Sequence, residues 1–188
     1  MSKILINLTA GQFDQAIMKC KDIFLKKMQD YGTAWRILRP SSLTDQILIK
    51  AQRIRSIEEK MEQKIGDNIE SEFIGIINYA AIALVQLKLP ANAPVEMEQQ
   101  DAVQRIEKEL NNAKMLMMDK NHDYGEAWRE MRISSMTDLI LMKLLRIKQI
   151  EDNKGETLIS EGVDANYYDI INYAVFALIK LNEDKINS

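Results

Sequence analysis

Tyr31-Gly-Thr-Ala-Trp-Arg-Ile-Leu-Arg-Pro-Ser-Ser-Leu-Thr-Asp45 recurs as Tyr124-Gly-Glu-Ala-Trp-Arg-Glu-Met-Arg-Ile-Ser-Ser-Met-Thr-Asp138. From Tyr31 to Glu58 against Tyr124 to Glu151, 17 of 28 positions are identical without a gap. After a one-residue insertion the match resumes, pairing Ile77-Asn-Tyr-Ala80 with Ile171-Asn-Tyr-Ala174. Chance does not produce this. The chain is an internal duplication, and each copy is a unit that cannot bury its apolar face alone.

Each copy reads as three helices. Thr9-Ala-Gly-Gln12 has the form of a capping box, and Phe13, Ile17, Cys20, Phe24 and Met28 follow it at helical spacing. In the second copy Val103, Ile106, Leu110, Ala113 and Met117 keep that spacing. Gly32 and Gly125 stand where a helix ends in a left-handed residue. Ser42 and Ser135, each followed three positions later by Asp, read as the N-caps of the second helices. The third helices, about Ile74 to Leu87 and Asp169 to Leu181, are apolar on every side and must be buried all round. The fold expected is all-α: two tandem three-helix repeats, residues 9–88 and 96–184, joined by a proline-bearing linker, 89–95. They are expected to pack through their third helices about a pseudo-twofold axis, like an isologous dimer within one chain.

Composition narrows the classes. Gly (7) and Pro (3) are scarce and helix formers abundant. A net charge of −3 gives no general attraction to nucleic acid or to an acidic membrane. One cysteine, Cys20, excludes an intrachain disulfide framework and suits a reducing compartment. The N-terminal apolar stretch is too short and interrupted for a signal peptide, and the apolar runs fall short of the ~20 residues of a membrane span. The expectation is a cytoplasmic protein, with a homo-oligomer left open.

Three polar sets recur in both copies. The first is Tyr31, Trp35, Arg36 and Arg39, matched by Tyr124, Trp128, Arg129 and Arg132. Aromatic rings beside guanidinium groups suit a stacked base and bidentate phosphate contacts; equally, they can plug a bundle end and pair with carboxylates. The second is Asp45, Lys50, Arg53 and Glu58, matched by Asp138, Lys143, Arg146 and Glu151. Their interleaving with apolar residues predicts partial burial, either around a phosphate or as an interhelical ion-pair network. The third opens the last helix. Glu161, Asp164 and Asp169 have the spacing that suits Mg²⁺ or Mn²⁺ bridged to phosphates, and Asp138 joins them as a fourth candidate ligand. Asp169 has only Gly75 opposite it in the first copy, so the second copy is expected to hold the more complete site. Asn78 and Asn172 sit inside the most apolar helices and need hydrogen-bond partners, in the helix pairing or on a ligand. One histidine and one cysteine give no basis for a zinc site or a His/Cys nucleophile.

The strings Lys-x-x-Asp-Tyr-Gly-x-Ala-Trp-Arg, Ser-Ser-x-Thr-Asp-x-Ile-x-x-Lys-x-x-Arg-Ile and Asp-Ile-Ile-Asn-Tyr-Ala resemble the nucleotide modification associated domain 1 family over both copies. That resemblance implies an all-α domain of nucleotide or modified-base metabolism. The carboxylates are also similar to those of MazG-like all-α nucleotide pyrophosphohydrolases, which bind Mg²⁺ through Glu-x-x-Glu and Glu-x-x-Asp on successive helices. Glu161-x-x-Asp164 fits the second half; the first is replaced by the adjacent pairs Glu58-Glu59 and Glu151-Asp152. The expected function is therefore nucleotide binding, with Mg²⁺-dependent (d)NTP hydrolysis as its catalytic form. The alternative is a non-catalytic nucleotide sensor or an interaction module accessory to DNA base modification.

Overall fold

The computed structural model describes residues 2–60, 68–90, 92–157, 159 and 161–187. It contains α1 (Ser2–Tyr31), α2 (Pro40–Lys60), α3 (Ile69–Lys88), α4 (Gln99–Tyr124), α5 (Ile133–Asp152) and α6 (Val163–Asn187), and no strand among the described residues. A single 3₁₀ turn, Ala34–Ile37 or Ala127–Glu130, joins the first and second helices of each repeat.

Each helix packs against its counterpart in the other repeat: α3 on α6, α2 on α5, α1 on α4. The central pair carries small and branched residues that allow close approach. Ile76, Ile77, Ala80, Ala81, Ala83 and Leu84 are fully buried, as are Ile170, Ile171, Ala174, Val175 and Ala177. By length and composition α3 is apolar enough to cross a membrane, and 67% of that window is buried inside the bundle. All-round apolarity is what a central helix requires.

The pseudo-twofold axis is visible in individual bonds. Thr44 Oγ1 donates to Glu151 Oε1 at 2.9 Å, and Thr137 Oγ1 donates to Glu58 Oε1 at 3.0 Å. Lys148 pairs with Asp45 at 2.5 Å, and Arg55 with Asp138 at 3.7 Å. Each of these contacts is answered by its exchanged partner, as in an isologous interface. The Asp and Glu of the second polar set thus serve the seam between repeats.

Burial pushes the Glu58 and Glu151 carboxyls above the usual carboxylate range, against the lowering effect of the threonine bonds. An acid whose folded pKa is raised destabilises the fold when ionised, and that cost is relieved as pH falls through the raised value. Glu58→Gln with Glu151→Gln keeps an acceptor for each threonine. The pair is expected to raise the melting temperature at pH 7, with the gain vanishing near pH 4. A lower melting temperature at pH 7 would show that the ionised bonds are worth more than their desolvation.

Several local expectations are corrected. Helix α1 begins at Ser2, so Thr9 lies well inside it. Its buried hydroxyl donates to Glu126 Oε2 across the repeat boundary at 2.7 Å, and no free helix N–H is there to cap. Helix α2 begins at Pro40, whose missing N–H suits a first helical position. Helix α5 begins at Ile133 after Arg132, with no side-chain cap, which leaves Ser42 and Ser135 in the first turns. Helix α3 starts earlier than its apolar run, capped by Asn68, whose side chain accepts from Ser71 N at 2.9 Å. The linker is pinned: Thr33 Oγ1 donates to Met97 O at 3.2 Å and Arg36 Nη2 to Pro94 O at 2.6 Å. The left-handed glycines stand as expected, with φ of 60° at Gly32 and 64° at Gly125.

Candidate functional site

In repeat 1 the left-handed turn at Gly32 swings the chain back, so that the 3₁₀ turn lays Trp35 toward α3. Between the end of α1, this turn, α2 and α3 lies a cavity of about 470 Å³. Its apolar lining includes Phe24, Met28, Trp35, Leu38, Ile74 and Ile82, and its polar lining Lys27, Lys50, Ser71, Glu72, Asn78 and Tyr79. Ser71 and Glu72 lie on the first turn of α3, with Lys50 against Glu72, and Ile82 lies further along the helix, so the two ends differ in polarity. Tyr31 is 72% exposed and stands at its rim.

Gly75 keeps the polar end open. A Cβ there would sit 2.8 Å from Lys50 Cε, so the lysine stem occupies the space a side chain would take. Lys50 Nζ lies 3.2 Å from Glu72 Oε2, and Arg53 donates to the same buried carboxylate. Lys27 is exposed and has no carboxylate partner among the described residues. Two cations thus hold Glu72, and Lys27 lines the same cavity. Two of the lining residues carry a buried polar atom without a partner, Trp35 Nε1 and Asn78 Oδ1, each with almost no accessible surface. Asn78 spends its Nδ2 on Cys20 O of α1 at 3.0 Å, so it ties α3 to α1 and does not join α3 to α6.

Repeat 2 builds the same frame and fills it. Asp169 stands in the place of Gly75, and its carboxylate takes both Lys120 (2.5 Å) and Lys143 (2.6 Å), the counterparts of Lys27 and Lys50. Burial works against the charge of Lys120, yet the Asp169 bond raises its pKa. Trp128 is buried with Phe176, the counterpart of Ile82, stacked on it at 4.2 Å and 4°. The more complete copy expected from the carboxylates is thus the one in which they are already paired.

The other candidates are placed as follows. Arg36 and Arg129, expected to hold phosphate, are engaged within the protein. Arg36 donates to Gln86 and Pro94 O, while Arg129 donates to Glu126, Glu183, Thr9 and Gln12. Arg39 and Tyr124 are exposed. Arg132 lines an open groove with Glu58 and Lys180, and Arg146 lines another with Glu161 and Asn166. The four carboxylates put forward for a metal are not gathered. Asp138 faces Arg55 at the α2–α5 seam, Asp169 is held by two lysines, and Glu161 and Asp164 are exposed. No group of three or more His, Cys, Asp or Glu side chains suited to a metal occurs among the described residues. Burial pushes the Cys20 thiol up to about 12, which removes it as a nucleophile at neutral pH.

The family model described as nucleotide modification associated domain 1 matches residues 27–87 and again 120–181, well over half of the chain. The chain belongs to that family. The two matches begin at Lys27 and Lys120, so the nucleotide modification associated domain starts at the paired lysines and leaves out most of α1 and α4. No curated protein matches the chain, and no solved structure does.

Glu72 (opposite Asn166) and Ile82 differ between the copies and carry no shared signal, and Gly75 showed only as the gap opposite Asp169. Lys27 was within reach, as the first residue of the Lys-x-x-Asp-Tyr-Gly string.

Proposed function

We propose that repeat 1 binds a nucleotide, with the base in the apolar end against Trp35 and a phosphate at Lys27 and Lys50. The observation that carries this reading is the two-ended character of the cavity: an apolar slot at Trp35, continuous with a cationic end at Lys27 and Lys50. A base offers a ring face and a hydrogen-bonding edge, and phosphate seeks ammonium and guanidinium groups. The volume lies within the usual range for a small-molecule site. The family's association with nucleotide modification supports the same class of ligand.

The test is a melting screen with the ribo- and deoxyribonucleoside mono- and triphosphates, each with and without Mg²⁺ or Mn²⁺. A ligand at 100 times its Kd stabilises by about 2.7 kcal/mol. In a chain of this size that is a rise of roughly 5–11 °C. A flat response across the panel would sink the reading. Release of phosphate or pyrophosphate in the same samples would assign the (d)NTP phosphohydrolase form. Binding without turnover would assign the sensor or accessory form.

A further inference from the structure

Repeat 2 carries the same site with both halves occupied by its own side chains, and these show what a ligand brings to repeat 1. Two differences separate the frames. Ile82 of repeat 1 is Phe176 in repeat 2, and that ring lies flat on Trp128 at 4.2 Å. Gly75 is Asp169, whose carboxylate bridges Lys120 and Lys143. An aromatic ring thus fills the slot on the tryptophan, and an anion fills the gap between the lysines. Ile82 and Gly75 both line the cavity of repeat 1, where the Lys50 stem lies over Gly75.

Repeat 2 nevertheless leaves Trp128 Nε1 and both side-chain polar atoms of Asn172 without partners.

We infer that repeat 2 is a latent ligand site closed from within, with Phe176 standing in for the base and Asp169 for the phosphate. Wild-type protein then binds one nucleotide per chain, in repeat 1. The anion subsite of repeat 1 lies over Gly75, between Lys27 and Lys50. The inference rests on the nucleotide reading for its aromatic half, while its anion half stands on the lysines alone.

The first experiment uses inorganic phosphate as probe. Asp169→Gly leaves the buried Lys143 without its counter-charge, so the melting temperature is expected to fall. Millimolar phosphate, at ionic strength held constant with NaCl, should restore most of the loss, a larger rise than the one its repeat 1 subsite gives wild type. An Asp169→Gly protein that phosphate does not rescue more than wild type overturns the anion half. The second is calorimetric stoichiometry with the best nucleotide of the panel: one per chain for wild type, two for Asp169→Gly with Phe176→Ile. One site in that variant overturns the latent site. Should the opened variants fail to fold, Gly75→Asp decides the matter in repeat 1, where only the mobile end of Lys50 must move. It is expected to keep the fold and weaken nucleotide binding at least tenfold; affinity within twofold of wild type overturns the placement. A wild-type chain that binds no nucleotide ends the functional reading, and phosphate rescue of Asp169→Gly still decides the anion subsite.

Discussion

Lys50→Met is expected to weaken nucleotide binding by roughly 10- to 100-fold with little change in melting temperature, and Lys143→Met to lower the melting temperature with little change in binding. The two lysines are equivalents in the duplication, and methionine keeps most of the apolar stem of each. What differs is the lysine's own burial and the length of its bond: Lys50 is 27% exposed at its side chain and 3.2 Å from Glu72, while Lys143 lies 2.6 Å from Asp169. Lys50 shares Glu72 with Arg53, so its loss leaves that carboxylate paired while removing a cation from the cavity. A hydrogen bond to a charged group is worth about 1.5–3 kcal/mol, which is the stated loss of affinity. Lys143 is 9% exposed at its side chain and shares Asp169 with Lys120. Its loss leaves a buried carboxylate held by one cation. Removing one partner of a buried pair outright costs about 3–5 kcal/mol, and the surviving Lys120 bond should cut that to about half. At 2–4 °C per kcal/mol the fall is on the order of 5 °C. Isothermal titration and thermal melts of both variants separate the roles. Equal effects on binding would mean that repeat 2 is open to ligand after all.

This difference between the repeats marks how far the sequence could be read. The duplication, the helical class and the burial of α3 and α6 follow from periodicity and identity, which are properties of the chain alone. The pseudo-twofold packing follows as well, because two all-apolar helices have nowhere else to go. The helix starts were less legible: Pro40 opens a helix without a side-chain cap, and Thr9 looks like a cap only until its partner Glu126 is seen 117 positions away. The site was half legible. Lys50, Trp35 and Tyr31 were visible as shared residues and do line the cavity, while Arg53 stands behind them on Glu72. Asp169 looked like a gain for repeat 2 when counted as a ligand. Whether a carboxylate awaits a metal or closes on two lysines depends on distances that a spacing rule does not contain.

The arginines beside the tryptophans were the hardest to read, and they yield the largest stability effect. Arg129→Ala is expected to destabilise the protein by about 3–5 kcal/mol, a fall on the order of 10 °C, while nucleotide affinity of the folded protein stays within twofold. Arg129 Nε lies 2.7 Å from Glu126 Oε2, and Glu126 is 5% exposed. The same guanidinium reaches Thr9 Oγ1 and Gln12 Oε1 of α1, each at 2.7 Å, and Glu183 of α6 at 3.2 Å. It therefore ties the first helix of repeat 1 to the turn and last helix of repeat 2. Glu126 also holds a left-handed backbone, φ 63°, that costs a non-glycine residue energy and persists only while its side chain is anchored. Without Arg129 its buried charge keeps only the Thr9 hydroxyl and a long Asn121 contact of 3.4 Å. Neutralising it should help: Arg129→Ala with Glu126→Gln is expected to recover more than 1 kcal/mol in a double-mutant cycle. Arg36→Ala, whose partners are neutral oxygens of Gln86 and Pro94, should cost only about 1–3 kcal/mol. An Arg129→Ala protein as stable as wild type that no longer binds nucleotide would reverse the assignment and return this arginine to the phosphate.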